Sequence, residues 1–343
     1  MVKALAMEAE AEKNYLNGEK INTIYFGGGT PSLLSVSELG MLLSSISKNF
    51  LVSDDVEITL EANPDDINEN LLISWKELGI NRLSIGVQSF FEEELRWMNR
   101  AHNASQAIEN LALARKIFPN LTMDLIYGSP LLTDEMWKAN VERAIALDIP
   151  HLSCYALTVE EKTPLNKLIS LQKTTNVDAD QQARQFLLLM QWLREKGYEH
   201  YEVSNFAKPG FRSRHNSSYW KGEKYLGLGP SAHSYNGEER RWNIANNSQY
   251  IKAIMNNEVA RESEVLTTEQ RLNEYIMISL RTMEGLDLTL VRNSWGEKEH
   301  SRIENSLKDL VTHGQVRMQN GFAQLTDEGM LMADGIASRL FNV

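Results

Sequence analysis

The strongest constraint on this chain is an alternation. Six short stretches, Ile21–Phe26, Val56–Ala62, Arg82–Gln88, Leu121–Tyr127, His151–Leu157 and Tyr198–Val203, are rich in β-branched or aromatic residues and bounded by turn formers, as strands are. Helical patterns fill the gaps. Ser35-Val-Ser-Glu38 spells a capping box ahead of a helix over Leu39–Phe50. Asn68–Leu78 closes at Gly79, Ala104–Phe118 at Pro119 and Asp178–Lys196 at Gly197, while Thr133–Leu147 repeats apolar residues at helical spacing. The order βαβαβαβαβαβ predicts right-handed crossovers and a mainly parallel sheet. Strands start roughly 25 to 50 residues apart, as βα units require and too irregularly for a fixed-period repeat. An open doubly wound sheet and a complete or partial barrel both satisfy that order.

Composition narrows the class. With 343 residues there is room for one large α/β domain and a smaller one. Thirty-five basic against 46 acidic side chains leave a net charge of −11, so no nucleic-acid partner is expected. The longest apolar run, Phe186 to Leu193 interrupted by Gln191, is far short of the roughly 20 residues of a bilayer span. Acidic residues in the first ten positions replace the apolar core of a signal peptide, and a cytoplasmic location is expected. Cys154 is the single cysteine, so this chain alone offers neither a disulfide nor a thiolate cluster site. The seven histidines show no zinc-ligand spacing.

From about Pro209 to Asn246 the alternation stops, and Gly, Ser, Asn, Tyr and Trp crowd in around Gly227-Leu-Gly-Pro230. A stretch of that length within a compact protein is either functional or disordered, and its aromatics favour function. Helical patterning resumes over Glu269–Thr282 and Ser301–Thr312, followed by a hairpin over Val316–Leu325 around Asn320-Gly321. That is a winged-helix outline, yet Thr267–Val343 carries eight basic and eleven acidic residues, the wrong sign for reading DNA. The expected divisions are 1–208, 209–266 and 267–343.

In parallel α/β proteins ligands bind beyond the carboxyl ends of the strands. The first strand ends in Phe26-Gly-Gly-Gly-Thr-Pro-Ser32, where glycines allow close backbone approach; alone, the motif reads equally well as a tight turn. Glu61 ends the second strand, Gln88 the third and Asp124 lies near the end of the fourth. One buried polar residue is ordinarily structural, but three at successive strand ends facing a triple-glycine turn describe a pocket for a polar, partly cationic small molecule. Arg100 is a candidate counter-charge for a carboxylate, or a plain surface arginine. In the aromatic stretch, His215-Asn-Ser-Ser-Tyr-Trp220 and His233 offer imidazoles beside rings, a combination that suits haem but ordinarily marks packed residues.

Gly27-Gly-Gly-Thr-Pro-Ser32, Leu60-Glu-Ala-Asn-Pro64, Gly86-Val-Gln-Ser89, Asp124-Leu-Ile-Tyr-Gly128 and Tyr155-Ala-Leu-Thr158 occur here in one order. In that set the chain resembles radical S-adenosylmethionine (SAM) proteins of the oxygen-independent coproporphyrinogen III oxidase family, and His215–Trp220 resembles the signature of its HemW-type haem-chaperone branch. The resemblance spans essentially the whole chain. It implies an α/β fold, a partial (β/α)6 barrel lacking its first βα unit over 1–208, a connecting segment with the HNxxYW motif over 209–266, and a winged-helix-like α+β module over 267–343. It implies SAM bound by Gly27, Gly28, Gly29, Thr30, Glu61, Gln88, Arg100, Asp124 and Ala156, and haem handled by His215, Asn216, Tyr219, Trp220 and His233. It further implies a [4Fe–4S] cluster on a CxxxCxxC loop, which this sequence lacks. By the size of a βα unit, on the order of 40 residues ahead of Met1 are missing against the family pattern. That leaves a truncated member or a natural cluster-less protein; truncation is the expectation, and the 343 residues are expected not to cleave SAM reductively. No catalytic residue and no metal ligand is assigned in this chain. The implied function is haem binding and delivery to haemoproteins, with membranes reached only through a recipient. The alternatives are coproporphyrinogen III oxidation and, more weakly, a winged-helix DNA-binding regulator.

Overall fold

The protein is described by a computed structural model over residues 1–342. After helix α1 (Val2–Ala11), the chain alternates β1 (Ile21–Phe26), α2 (Val36–Asn49), β2 (Val52–Ala62), α3 (Glu69–Glu77) and β3 (Arg82–Gln88). There follow α4 (Glu92–Trp97), α5 (Ala104–Ile117), β4 (Leu121–Tyr127), α6 (Asp134–Ala146), β5 (His151–Ala156), α7 (Pro164–Ser170) and α8 (Ala179–Glu195). The sheet ends with β6 (Glu199–Glu202) and β7 (Asn205–Ala207). Its order is β1-β2-β3-β4-β5-β7-β6, parallel from β1 to β5 and curled into a half-barrel, which decides between the open sheet and the barrel.

Local chemistry sets the helix starts. Ser35 and Glu38 form the expected capping box, with Ser35 N donating to Glu38 Oε2 at 2.9 Å. Asn68, Asn103, Thr133 and Asp178 cap α3, α5, α6 and α8 through their side-chain oxygens. The last strand departs from expectation. Tyr198–Val203 is not one parallel strand: β6 turns back after Glu202 into β7, which pairs antiparallel with both β5 and β6. Side chains stitch that turn, since Asn205 Nδ2 donates to Glu202 and Ser153 Oγ donates to Asn205 Oδ1 at 2.7 Å.

The span expected to be irregular is ordered. It contains α9 (Arg214–Trp220) and then β8 (His233–Tyr235), β9 (Glu239–Asn243), α10 (Asn247–Met255) and β10 (Arg261–Val265), whose strands form an antiparallel sheet ordered β10-β9-β8. Beyond it lie α11 (Thr268–Leu280), β11 (Leu286–Asp287), α12 (Leu288–Trp295), α13 (Glu297–Thr312), the hairpin β12 (Val316–Gln319) and β13 (Phe322–Leu325), α14 (Asp327–Met330) and α15 (Ala333–Leu340). The last part docks on the half-barrel through backbone bonds, Val203 N to Arg281 O at 3.0 Å and Met283 N to Tyr201 O at 3.1 Å. One apolar core runs from Ile24 through Trp75 and Trp137 to Leu340. Among the described residues no helix is long and apolar enough to cross a membrane.

The period of two along the strands separates the sheet's faces. Ile24, Leu60, Leu83, Ile85, Met123, Leu125, Leu152 and Cys154 point outward and are buried in the apolar core, under the helices. The alternate positions face the concave side, and they are polar.

Candidate functional site

The concave face holds Tyr25 from β1, Thr59 and Glu61 from β2, Arg82 and Ser84 from β3, Thr122 and Asp124 from β4, and Ser153 and Tyr155 from β5. Together with Ser213 and Asn216 they enclose a cavity of about 210 Å³. Glu61 accepts from Tyr25 Oη at 2.8 Å and, more weakly, from Gly28 N at 3.3 Å. The triple-glycine turn is thereby tied to the strand end. At Gly27 a Cβ would stand 2.6 Å from the Tyr25 ring and 2.8 Å from Glu61 Oε1, so any larger residue would displace that pair. Gly28, Gly29 and Thr30 are exposed above it.

Asp124 lies deeper, with Ser84 Oγ 3.3 Å from its Oδ1. What exposure it has is to the cavity rather than to bulk water. Desolvation pushes its carboxyl up to about 7; the Glu61 charge adds to the rise, while Ser153, Ser84 and Arg82 oppose it. Gln88 and Arg100 gather at the level above. Arg100 Nη2 donates to Asn63 Oδ1 at 2.7 Å and to Gly86 O at 2.9 Å, and its Nε is buried with no partner among the described residues. A Cβ on Gly86 would lie 3.0 Å from Gln88 Nε2 and 3.3 Å from Arg100 Nη2, so that glycine makes room for both. Gln88 itself has φ +69° at an irregularity in the β3–β4 register. Ala156 is exposed at the end of β5. Glu61 and Asp124 therefore share one cavity wall, and Gln88 and Arg100 share a second cluster around Gly86.

The HNxxYW residues form α9, which lies across the concave face. Ser213 caps it, accepting from Asn216 N at 3.1 Å. Buried Glu57 of β2 accepts from the backbone N–H groups of Arg214 (3.2 Å) and His215 (3.0 Å), a negative charge on the positive end of the helix. His215 Nδ1 is 3.0 Å from Thr23 Oγ1, its ring stacks on Tyr25 at 4.6 Å, and Tyr219, one turn on, meets it edge-on at 5.0 Å. Burial drives the imidazole pKa down to about 4, so the ring is neutral at pH 7. His215, Tyr219, His233 and Gly27–Thr30 line a cleft of about 1450 Å³ between α1, β1, α2 and α9. Asn216 faces the inner cavity instead, and Trp220 turns away toward the Arg281 guanidinium, 6.0 Å from its ring. His233 is exposed beside Trp242.

Cys154 is sealed in the apolar layer, where burial pushes its thiol up. Among the described residues no group of three or more His, Cys, Asp or Glu is placed to hold a metal ion. Tyr25, Thr59, Arg82, Ser84 and Ser153 line the inner cavity and Glu57 caps α9, and reading strand ends alone passed over all six. The signal was present in Glu57, Thr59 and Glu61, in Arg82 and Ser84, and in Thr122 and Asp124: polar side chains two apart within strands otherwise apolar.

Comparison with known proteins agrees with this architecture. Residues 4–144 match the Radical SAM superfamily. The curated "Heme chaperone HemW" of Bacillus subtilis is 33% identical over 319 residues, covering 92% of this chain and 84% of that protein. Its Mycobacterium tuberculosis counterpart is 32% identical over 344 residues, covering 98% and 85%. The structure of the coproporphyrinogen III oxidase HemN from Escherichia coli superposes with a TM-score of 0.83 over 99% of this chain and 82% of its own, at 24% identity, and so shares the fold. The curled sheet with its polar concave face, and relatives matched over 84–85% of their length, lead to one assignment: this chain belongs to the HemW family of radical SAM proteins.

Proposed function

We propose that this chain binds haem in the cleft beside α9 and passes it to haem-requiring proteins, and that the strand-end groups form a SAM pocket. The observation behind the haem reading is the state of His215. A neutral imidazole is the form that ligates iron, and a hydrogen bond from the other ring nitrogen fixes its orientation. In the tautomer that donates from Nδ1 to Thr23 Oγ1, the Nε2 lone pair is free, and among the described residues Nε2 makes no hydrogen bond. Stacking on Tyr25 and the edge of Tyr219 hold the ring at the rim of a cleft roomy enough for a porphyrin. The names of the curated relatives support the same reading over porphyrinogen oxidation.

For SAM, Gly27, Gly28, Gly29, Thr30, Glu61, Gln88, Arg100, Asp124 and Ala156 are suitable. Carboxylates for a ribose or a cation and a strand end kept open by Gly86 fit a nucleoside carrying a sulfonium. A [4Fe–4S] cluster beside that pocket would supply the electron for reductive SAM cleavage. The residues of this chain do not fit that cluster, because its one thiol faces the apolar core, and no step is assigned through it.

Haem titration tests the proposal. The expected result is a shifted Soret band on adding haem to the protein, with affinity at least tenfold weaker in His215→Ala. Spectra identical to free haem, or equal binding by both proteins, would exclude His215 as the ligand.

A further inference from the structure

Helix α9 has seven residues, too few to be stable alone in water, so its pose is set by what it touches. Its first turn is held by the half-barrel, through Glu57 and through Arg214 Nη1, which donates to Asp55 O at 2.6 Å. His215 and Tyr219, four positions apart, share the face that lines the cleft. Trp220 follows His215 by five positions, about 140° further round the helix, and so points elsewhere. It does not line the cleft, although its neighbours Tyr219 and Lys221 do.

What Trp220 meets is the last module. Its ring lies 6.0 Å from the guanidinium of Arg281, the residue that ends α11. That guanidinium is itself fixed, since Nε and Nη2 both donate to Asp334 Oδ1 of α15, Nε at 3.0 Å. Arg281 O accepts from Val203 N, which roots the same residue in the half-barrel. Just past α9, Gly222 also lies against α11, where a Cβ on it would stand 3.7 Å from Ile278 Cδ1. The chain entering α9 is tied as well. Arg212 donates to Glu199 Oε2 of β6 at 2.9 Å and to Glu284 Oε1, beyond α11, at 2.8 Å. The segment carrying His215 is therefore strung between Glu284 at one end and Arg281 at the other.

We propose that Trp220 is a positioning residue for haem ligation. Seated on Arg281, it fixes the last turn of α9 and with it the direction in which His215 presents Nε2. The proposal rests on the reading of His215 as the haem ligand, and it assigns the indole to the seat of the helix, not to the porphyrin.

The test is haem titration of full chains carrying Trp220→Leu, Arg281→Gln or both, with circular dichroism checking the fold. Each single change should weaken haem binding about three- to fivefold, and the double variant about as much, because the two residues form one contact. Arg281→Lys, which keeps a cation beside the ring, should recover most of the loss. The EPR g values of the ferric-haem complex follow the orientation of the ligand ring and should change in Trp220→Leu. In His215→Ala, where that ligand is gone, Trp220→Leu should make no further difference. If Trp220→Leu does not fold, Arg281→Gln decides alone through the same readouts. Unchanged affinity and g values in the folded variants overturn the proposal. So does a full further loss in the His215→Ala background, which would put the indole on the porphyrin itself. His215→Ala binding haem as the wild type does would instead overturn the ligand reading, and the positioning role falls with it.

Discussion

The two faces of one sheet make opposite use of the same strands. On the convex face Leu60, Leu83, Met123 and Cys154 are sealed under helices, and each contributes by leaving water. On the concave face their immediate neighbours Thr59, Glu61, Arg82, Ser84 and Asp124 keep polar atoms facing a cavity. Folding therefore draws on the first set, while the second is held in arrangements that cost stability. Asp124 with its raised pKa and neutral His215 are examples.

Adjacent residues of β3 give the sharpest contrast. Leu83→Ala removes a fully buried side chain and should cost about 3 kcal/mol in urea unfolding. Ser84→Ala, one position along, removes a hydroxyl that serves Asp124 and should cost under about 1 kcal/mol. Equal losses would mean that the concave face is packed as a core, and the division between faces would fail.

How much of this was legible follows the same division. The bounds of β1, β3 and β4 are as the apolar runs predict, because burial under helices selects β-branched and large apolar residues. Glu61 and Asp124 stood out as acids amid such runs. Arg82, Thr59 and Tyr25 did not, since their partners lie on neighbouring strands and only the register brings them together. The β6–β7 turn was hidden for a similar reason: Ser153 of β5 helps hold it through Asn205. Helix α9 has seven residues, too few for periodicity to show, and its N-terminus is completed by Glu57, 157 positions earlier in the chain than Arg214. Local signals do not reach that far.

Titration should separate two concave groups by sign. Asp124 has a folded pKa of about 7 against an ordinary 3.8, so the folded state binds the extra proton between those values. Its contribution is fully present below pH 4 and is lost as pH rises through 7. Relative to Asp124→Asn, the wild-type protein should lose on the order of 2 kcal/mol between pH 4 and 8, the full shift being discounted for screening by cavity water. His215 has the opposite slope. Its folded pKa near 4 lies below the ordinary 6.5, so its neutral burial costs stability as pH falls from 6.5 toward 4. Relative to His215→Gln, a loss of about 1–2 kcal/mol is expected over that range, again discounted for partial exposure. Stability curves from chemical denaturation at pH 4, 5.5, 7 and 8 check both; parallel curves for wild type and either variant would place that group in ordinary solvent.

The smallest expected effect probes where the two faces meet. Glu57 is buried like a core residue but faces the concave side, and its two oxygens close the first turn of α9. Glu57→Gln is nearly isosteric, so packing should survive. What changes is the charge at the helix N-terminus and one of two acceptors, worth about 0.5–1 kcal/mol. Because His215 is the second residue of that helix, the loss should be read at its ring: haem affinity weakened about two- to fivefold, the same energy expressed as binding, with the urea midpoint barely moved. A Glu57→Gln protein as unstable as Leu83→Ala would show the carboxylate to be part of the core; one with unchanged haem affinity would show that α9 holds its position without it.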